Sequence, residues 1–142
     1  MTGSGAKRAV SFRFDRRIAA HLKRRSTEIG EPQAALAERY IEEGLRMDEH
    51  PLITFRAGAA GRRPVLIGAR LDVATVIETI RQNDNSAEGA AEYLDVPVGH
   101  VEACLRYYVA YKRETDDWIE KSRRAAERER ELWLRQQEAL AG

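Results

Sequence analysis

Apolar and polar residues alternate near the N-terminus of the chain. Every second residue from Val10 to Phe14 is apolar, and the residues that alternate with them are small or basic: Ala9, Ser11 and Arg13. A period of two is typical of a β-strand, with one set on each face. A single short strand is unstable, so we expect it to pair with the same strand of a second copy and form a two-stranded ribbon.

A helical period follows this strand. Asp15 is predicted to cap a helix and Gly30 to end it, with an apolar stripe of Ile18, Leu22 and Ile29. Pro32 suits the first position of a second helix, whose apolar face would be Leu36, Ala37, Tyr40, Ile41 and Leu45. A strand and two helices are too small to bury a core of their own, which again favours a dimer.

Residues 47–51 combine a charge reversal with Pro51 and indicate a linker, in which His50 is expected to be solvated. Two apolar runs follow, at 52–55 and 64–67, and the stretch between them, 56–63, is rich in Gly, Ala and Arg. This pattern predicts a β-hairpin with its turn over 56–63. Three short helices follow, with Ser86 as the cap of the second, and their tight turns favour a helix-turn-helix-like core.

Residues 112–142 contain no proline and no interior glycine, and their composition predicts one long helix. Acidic and basic residues occur there in equal number, and Trp118 and Trp133 stand towards its two ends. A helix this polar has no core of its own, so it either projects into solvent or docks on a partner. The expected fold is mostly α with short β: a dimeric N-terminal domain, a hairpin with helices, and a charged C-terminal helix.

The charge is unevenly distributed. The whole chain carries +1, but residues 1–25 hold eight basic side chains against Asp15 alone, giving +7 and leaving −6 for the remainder. A basic arm of this kind is typical of a protein that binds a polyanion such as DNA.

Other chemistry has little support in the sequence. Cys104 is the single cysteine, expected to be buried, and the three histidines have no metal-ligand spacing, so neither a metal nor another cofactor is expected. The three clustered tyrosines are expected to be core or dimer contacts: Tyr107, Tyr108 and Tyr111. We expect a cytoplasmic protein that is not an enzyme and not membrane-bound, since there is no membrane-length apolar run, signal peptide or catalytic constellation.

The N-terminal pattern resembles the ribbon-helix-helix family of dimeric DNA-binding proteins. The resemblance covers about residues 7–47 and rests on Ile29, Gly30, the second helix and the strand Val10, Ser11, Phe12, Arg13, Phe14 and Asp15. It implies that Ala9, Ser11 and Arg13 contact base edges, flanked by Lys7 and Arg8. It also implies that the start of the second helix holds a phosphate, at Pro32, Gln33 and Ala34. Glu31 stands where Ser or Thr often precedes that helix, which would weaken the phosphate contact.

The middle stretch, about residues 50–112, resembles the domain of unknown function 433. The resemblance rests on its core, Gly61, Arg62, Arg63, Pro64, Val65, Leu66, Ile67, Gly68, Ala69 and Arg70, with Arg62 and Ala69 departing from the usual glycine and threonine. We expect Gly68 and Arg70 to be structural, as a glycine turn and an arginine bonded to nearby carbonyls. Members of that family resemble VapB-like antitoxins of type II toxin–antitoxin pairs, often beside a PIN-like ribonuclease toxin.

Together these features predict an antitoxin that binds operator DNA as a homodimer, represses its own transcription and neutralises a PIN-like ribonuclease. The expected toxin-binding residues lie on the C-terminal helix: Trp118, Arg123, Arg124, Arg128, Arg130 and Trp133. The alternative is a free-standing ribbon-helix-helix transcriptional regulator whose C-terminal helices only extend the dimer. The expected organisation is a disordered arm (1–6), a DNA-binding domain (7–47), a linker (48–51), an antitoxin-like domain (52–112) and a charged helix (113–142).

Overall fold

The computed structural model describes residues 6–142, which form two compact units divided between Glu42 and Glu43. The predicted N-terminal arm, apart from Ala6, lies outside the described residues. The protein is mostly helical, with a small three-stranded antiparallel sheet and a long C-terminal helix. In the described part of the chain, no helix combines the length and apolar character needed to cross a membrane.

The first unit contains α1 (Arg16–Ile29) and the start of α2 (Gln33–Glu49). The Asp15 carboxylate accepts a hydrogen bond from the Arg17 amide, and Gly30 ends α1 in the left-handed conformation with φ of 70°. Both predicted ends of α1 are therefore confirmed. Residues 6–15 lie outside any helix or strand in the single chain. A strand whose partner is a second copy has nothing to pair with in one chain, so the ribbon stays a prediction.

The second helix is longer than its sequence pattern indicated. It continues to Glu49, so Asp48 and Glu49 are helical rather than part of a linker, and the boundary between the two units falls inside α2. The last turn is completed by a hydrogen bond of 2.8 Å from the His50 amide to the Arg46 carbonyl. Pro51 follows, and a proline cannot continue the helical hydrogen bonding.

The predicted hairpin is confirmed, with a tighter turn. Strands β1 (Ile53–Gly58) and β2 (Gly61–Leu66) are antiparallel, and Gly58 pairs with Gly61 across a two-residue connection. Residues 56–58 and 61–63, expected to lie in the turn, are therefore within the strands. A third strand, β3 (Leu71–Asp72), pairs antiparallel with β2 and is too short to show any period in sequence.

The core of the second unit lies between the sheet and four helices: α3 (Val73–Gln82), α4 (Ala87–Leu94), α5 (Val98–Ala110) and α6 (Lys112–Ala141). Ser86 caps α4 through a bond of 2.9 Å from the Gly89 amide, as predicted. The buried cluster consists of Ile53, Leu66, Val73, Val76, Ile77, Ile80, Ala90, Ala91, Val101, Cys104, Tyr107 and Tyr108. The helical periods read from the sequence therefore correspond to real elements, while the helix-turn-helix likeness stays a prediction.

Only the start of α6 belongs to this core. Thr115 is buried and Trp118 and Ile119 are half-buried, whereas every residue after Ala125 is exposed. At 1.5 Å per residue, the 30 residues of α6 span about 45 Å, and the exposed part after Ala125 makes up more than half of that length.

Candidate functional site

The predicted base-reading residues lie on a fully exposed segment. Lys7, Arg8, Ala9, Ser11 and Arg13 are all solvent-exposed, at the N-terminus of the first unit. The Lys7 amine forms an ion pair of 2.6 Å with Glu38. Within residues 6–142, neither Arg8 nor Arg13 has an acidic partner. These two guanidinium groups are therefore free to bind an anion.

The basic character continues along α1. Its exposed cations have no ion pair among the described residues: Arg16, Arg17, Lys23, Arg24 and Arg25. The apolar side of the same helix is only partly covered: α1 contains no fully buried residue, Leu22 and Ile29 are half-buried, and Ile18 is 56 % exposed. An amphipathic helix gains most of its stability from packing its apolar face, and within residues 6–142 only part of that face is packed.

An open apolar groove of about 460 Å³ lies in the first unit. Its walls come from the end of the N-terminal segment, from α1 and from α2, and are lined by Phe14, Ile18, Leu22, Ala37, Tyr40 and Ile41, with His21 and Arg25 at the rim. Val10 is 62 % exposed and Phe12 is 66 % exposed on the adjoining segment. The alternating apolar residues of the predicted strand are thus exposed together with the groove.

The turn between α1 and α2 places the predicted phosphate-contacting residues on the surface. Pro32, Gln33 and Ala34 are exposed where α2 begins. The Ser26 hydroxyl donates to the Glu31 carbonyl, and the Glu31 carboxylate pairs with Arg39 at 3.0 Å. The repulsion expected from Glu31 is therefore partly neutralised by an arginine of the same unit.

In the second unit, one arginine joins α2 to α5 and α6, and we name this group the Arg46 clasp. The Arg46 guanidinium donates to the Tyr107 hydroxyl at 2.8 Å and to the Glu114 carboxylate at 2.6 and 3.3 Å. It also lies 3.9 Å from the centre of the Tyr111 ring. Burial alone would lower the pKa of Arg46, but its bonds to Glu114 and Tyr107 raise it above the ordinary value. Burial raises the pKa of Tyr107 to about 12.

His50 belongs to the same region, contrary to the expectation of a solvated linker residue. Its ring meets the edge of Tyr107 at 5.2 Å and that of Tyr111 at 6.1 Å between centroids. It is held there because α2 continues to Glu49 and brings His50 over the two tyrosines.

A second group, the Arg81 clasp, ties α3 to the start of α6. The Arg81 guanidinium donates to the Tyr108 hydroxyl at 2.7 Å and to Asp116 at 3.2 Å, and Tyr108 itself donates to Asp116 at 2.8 Å. Lys112 donates to the other Asp116 oxygen at 2.8 Å. The Lys112 hydrogen bond, with those from Tyr108 and Arg81, lowers the pKa of Asp116 to about 2.

The remaining predictions for the second unit have mixed outcomes. Tyr107, Tyr108 and Cys104 are buried, as expected, and burial raises the pKa of the Cys104 thiol to about 12, so it stays neutral. Gly68 has φ of 81°, which supports its role as a glycine turn. Arg70 is exposed and makes no hydrogen bond within the described chain, so the expected bonds to carbonyls do not form.

The predicted toxin-binding residues are spread along α6. Trp118 is half-buried, and the other five are exposed: Arg123, Arg124, Arg128, Arg130 and Trp133. Arg123 pairs with Glu120 and Glu127, and Arg124 pairs with Glu120. In the part of the chain that the structure describes, Arg128 and Arg130 have no acidic partner. A groove of about 410 Å³ beside the hairpin turn is lined by Ala60, Trp118, Lys121, Ser122, Arg124, Ala125 and Arg128.

Sequence reasoning missed both clasps. Arg46 lies 61 residues from Tyr107 and 68 from Glu114, and Arg81 lies 35 from Asp116, so no local pattern connects them. No group of three or more His, Cys, Asp or Glu residues suited to a metal occurs within residues 6–142.

Comparison with known proteins identifies the middle of the chain. Residues 53–108 match the model of a family described as "Protein of unknown function (DUF433)". No curated protein and no solved structure matches the chain. The match begins at the first residue of β1 and ends within α5, so it includes the sheet, α3, α4 and both buried tyrosines. The chain therefore contains a DUF433 domain at residues 53–108.

Proposed function

We propose that this protein is the antitoxin of a type II toxin–antitoxin pair, which binds operator DNA as a homodimer and neutralises a ribonuclease toxin. The observation that carries the proposal is the uncovered apolar surface of the first unit. A helix without a single buried residue faces an open groove, next to a segment with alternating exposed apolar residues. A second copy of the same unit would cover all three.

Pairing of two N-terminal segments would form a ribbon that presents Ala9, Ser11 and Arg13 on one face, and a two-stranded ribbon fits the major groove of DNA. Arg13, which has no acidic partner, is suited to donate two hydrogen bonds to a guanine. The free cations of Arg8 and α1 would contact phosphates, which gives affinity but no sequence preference.

The antitoxin part of the proposal rests on the resemblance of DUF433 members to VapB-like antitoxins and on the exposed surface of α6. Most of this helix is exposed, and Trp133 is 56 % exposed within the described residues. Tryptophan and arginine are common anchors of protein interfaces. Trp118 and Trp133 would anchor the toxin, and Arg123, Arg124, Arg128 and Arg130 would face an acidic site of the ribonuclease.

DNA binding is tested on the segment upstream of the protein's own coding sequence, by fluorescence anisotropy against a scrambled duplex. Arg13→Ala is expected to weaken specific binding by about 1–3 kcal/mol and non-specific binding much less. Arg17→Ala is the control, because it removes the same single positive charge from α1. It should weaken binding to both duplexes equally and reduce the salt dependence of binding. Equal losses on both duplexes for Arg13→Ala would contradict its role in reading bases.

Toxin neutralisation is tested by co-expression with the product of the neighbouring gene, which we expect to be the ribonuclease toxin. Replacing Arg123, Arg124, Arg128 and Arg130 together by alanine is expected to restore ribonuclease activity and to leave DNA binding intact. Full inhibition by this variant would contradict the role of the four arginines. A homodimer that binds its operator but no ribonuclease would instead support the free-standing regulator.

A further inference from the structure

The charges of α6 are sorted by face. Two apolar rows repeat every seven residues, one through Trp118, Ala125 and Leu132 and the other through Ile119, Ala126, Trp133 and Leu140. A polar row runs between them: Ser122, Glu129 and Gln136. We call this combined surface the docking face of α6.

Basic side chains border the docking face on both sides. One border, next to the Trp118 row, is basic from Lys121 onwards, with Lys121, Arg128 and Arg135, and the row beyond it is mixed: Asp117, Arg124, Glu131 and Glu138. The other border, next to the Trp133 row, carries Arg123 and Arg130. The opposite side of the helix carries Glu120 and Glu127, followed in the same row by Leu134. These two glutamates pair with Arg123 and Arg124 of the same helix.

This arrangement opposes pairing of α6 with a second α6. In a parallel pair, the border next to the Trp118 row of one helix faces the border next to the Trp133 row of the other. In an antiparallel pair, each border faces the same border of the second helix. Both borders are basic, so either orientation brings cations together, and Glu129 would be buried in the seam. Like charges placed opposite each other destabilise an interface strongly.

The same arrangement favours an acidic partner. Within residues 6–142, Lys121, Arg128, Arg130 and Arg135 have no carboxylate partner, so their charges are available. The groove beside the hairpin turn adds a concave site between Trp118 and the turn residue Ala60, bordered by Lys121, Arg124 and Arg128. An apolar side chain would enter this groove, and neighbouring carboxylates would meet the cations.

We infer that each α6 binds a separate, different protein, through an apolar groove rimmed with carboxylates, and does not pair with the α6 of a second copy. The inference rests on the proposed toxin-binding role, since it defines the chemistry of that partner. It also implies one partner for each α6 of a dimer. The polar row through Glu129 and Gln136 opposes a lipid surface, because it would place charge in the middle of the buried face.

The test uses two synthetic helical peptides of about four heptads with the same leucine core, one bordered by glutamate and the other by lysine. The only two tryptophans of the chain, Trp118 and Trp133, both lie on α6, so their fluorescence reports on this helix. The glutamate peptide is expected to shift the emission to shorter wavelength and to bind the full chain at least about tenfold tighter than the lysine peptide.

Charge reversal provides the matched control. Lys121→Glu with Arg128→Glu is expected to invert the preference between the peptides. Arg106→Glu with Arg113→Glu makes the same change in net charge at exposed positions away from the docking face and should preserve the preference. Equal binding of both peptides, binding of neither, or inversion by the control variant would overturn the inference.

Parallel self-pairing of α6 is measured on Leu132→Cys in the full chain, since the native Cys104 is buried. Oxidation is expected to leave the α6 helices unlinked, and rapid conversion to a disulfide-linked dimer would overturn the inference. Neither measurement uses DNA or a ribonuclease. A chain that neutralises no ribonuclease but prefers the glutamate peptide refutes the antitoxin role alone, and loss of that preference refutes only the partner chemistry.

Discussion

Replacement of Ile18 by alanine measures whether the groove of the first unit is a dimer interface. Ile18 lines this groove and is 56 % exposed in the single chain. Complete burial of an isoleucine side chain contributes about 1.5–3 kcal/mol, so covering the exposed half contributes about 1 kcal/mol per copy. The dimer contains the site twice, and Ile18→Ala should therefore weaken dimerisation by about 2 kcal/mol, or about thirtyfold in Kd. Alanine is the better helix former, so α1 itself should not be destabilised.

The assay is sedimentation of the wild type and the variant over a dilution series, with circular dichroism to verify unchanged helix content. Val109→Ala is the control, because Val109 is also a β-branched residue on a helix, is 72 % exposed and lies in the second unit. It should leave the dimer constant unchanged. A wild-type chain that is monomeric at every concentration, or a dimer equally stable with Ile18→Ala, would refute the assignment of this groove and remove the main support for the DNA-binding ribbon.

Three further predictions concern the second unit. Arg46→Met should lower the free energy of unfolding by about 2–4 kcal/mol, measured with urea, because it leaves the Tyr107 hydroxyl buried without a partner; a change below about 0.5 kcal/mol, expected for an exposed site, would contradict the role of the clasp. Asp116→Asn should lower Tm at neutral pH. The pKa of Asp116 falls from 3.8 to about 2 on folding. The ionised carboxylate therefore contributes fully to the free energy of unfolding above the ordinary pKa, and this contribution is lost as the pH falls towards 2. Between these pH values the stability of the Asp116→Asn variant should depend less on pH than that of the wild type. A chain ending at Lys121 should keep nearly the wild-type Tm, whereas one ending at Tyr111 should melt markedly lower because it lacks the acidic members of both clasps; equal Tm values would contradict this account.

Local features of the sequence predicted most elements. Asp15 and Gly30 mark the two ends of α1, and Ser86 marks the start of α4, because a cap or a left-handed residue acts within one helical turn. The hairpin and the long C-terminal helix were equally visible, one from two apolar runs and the other from an uninterrupted helix-forming composition.

The features that failed depend on distant partners. The charge reversal and proline around residue 50 indicated a linker, but Arg46 and His50 are fixed by Tyr107 and Tyr111, whose side chains come from another helix. The expected bonds of Arg70 do not form, and Arg63 instead ties β2 to Asp72 at 2.8 Å. Sequence distance hides such contacts because they follow from packing rather than from local conformation.

For the candidate site, the sequence predicted which residues are basic, apolar and exposed in the N-terminal segment. It also indicated that Glu31 would repel a phosphate, but it did not show that Arg39 pairs with this carboxylate, because Glu31 precedes α2 and the two residues are 8 positions apart. The distribution of charges along α6 can be read from the sequence, but the sequence does not show that the helix is exposed beyond Ala125 and can therefore bind a partner.

The Arg46 clasp has a consequence for where the DUF433 domain can be cut. Tyr107 has no exposed surface, yet its hydroxyl is satisfied by Arg46, which precedes the matched segment. Glu114, which holds the other side of Arg46, follows that segment. A fragment limited to residues 53–108 would lack both Arg46 and Glu114, and the Tyr107 hydroxyl would lose its hydrogen-bond partner. The autonomous folding module is therefore wider than the recognisable motif, and expression of the isolated motif should yield an aggregation-prone polypeptide.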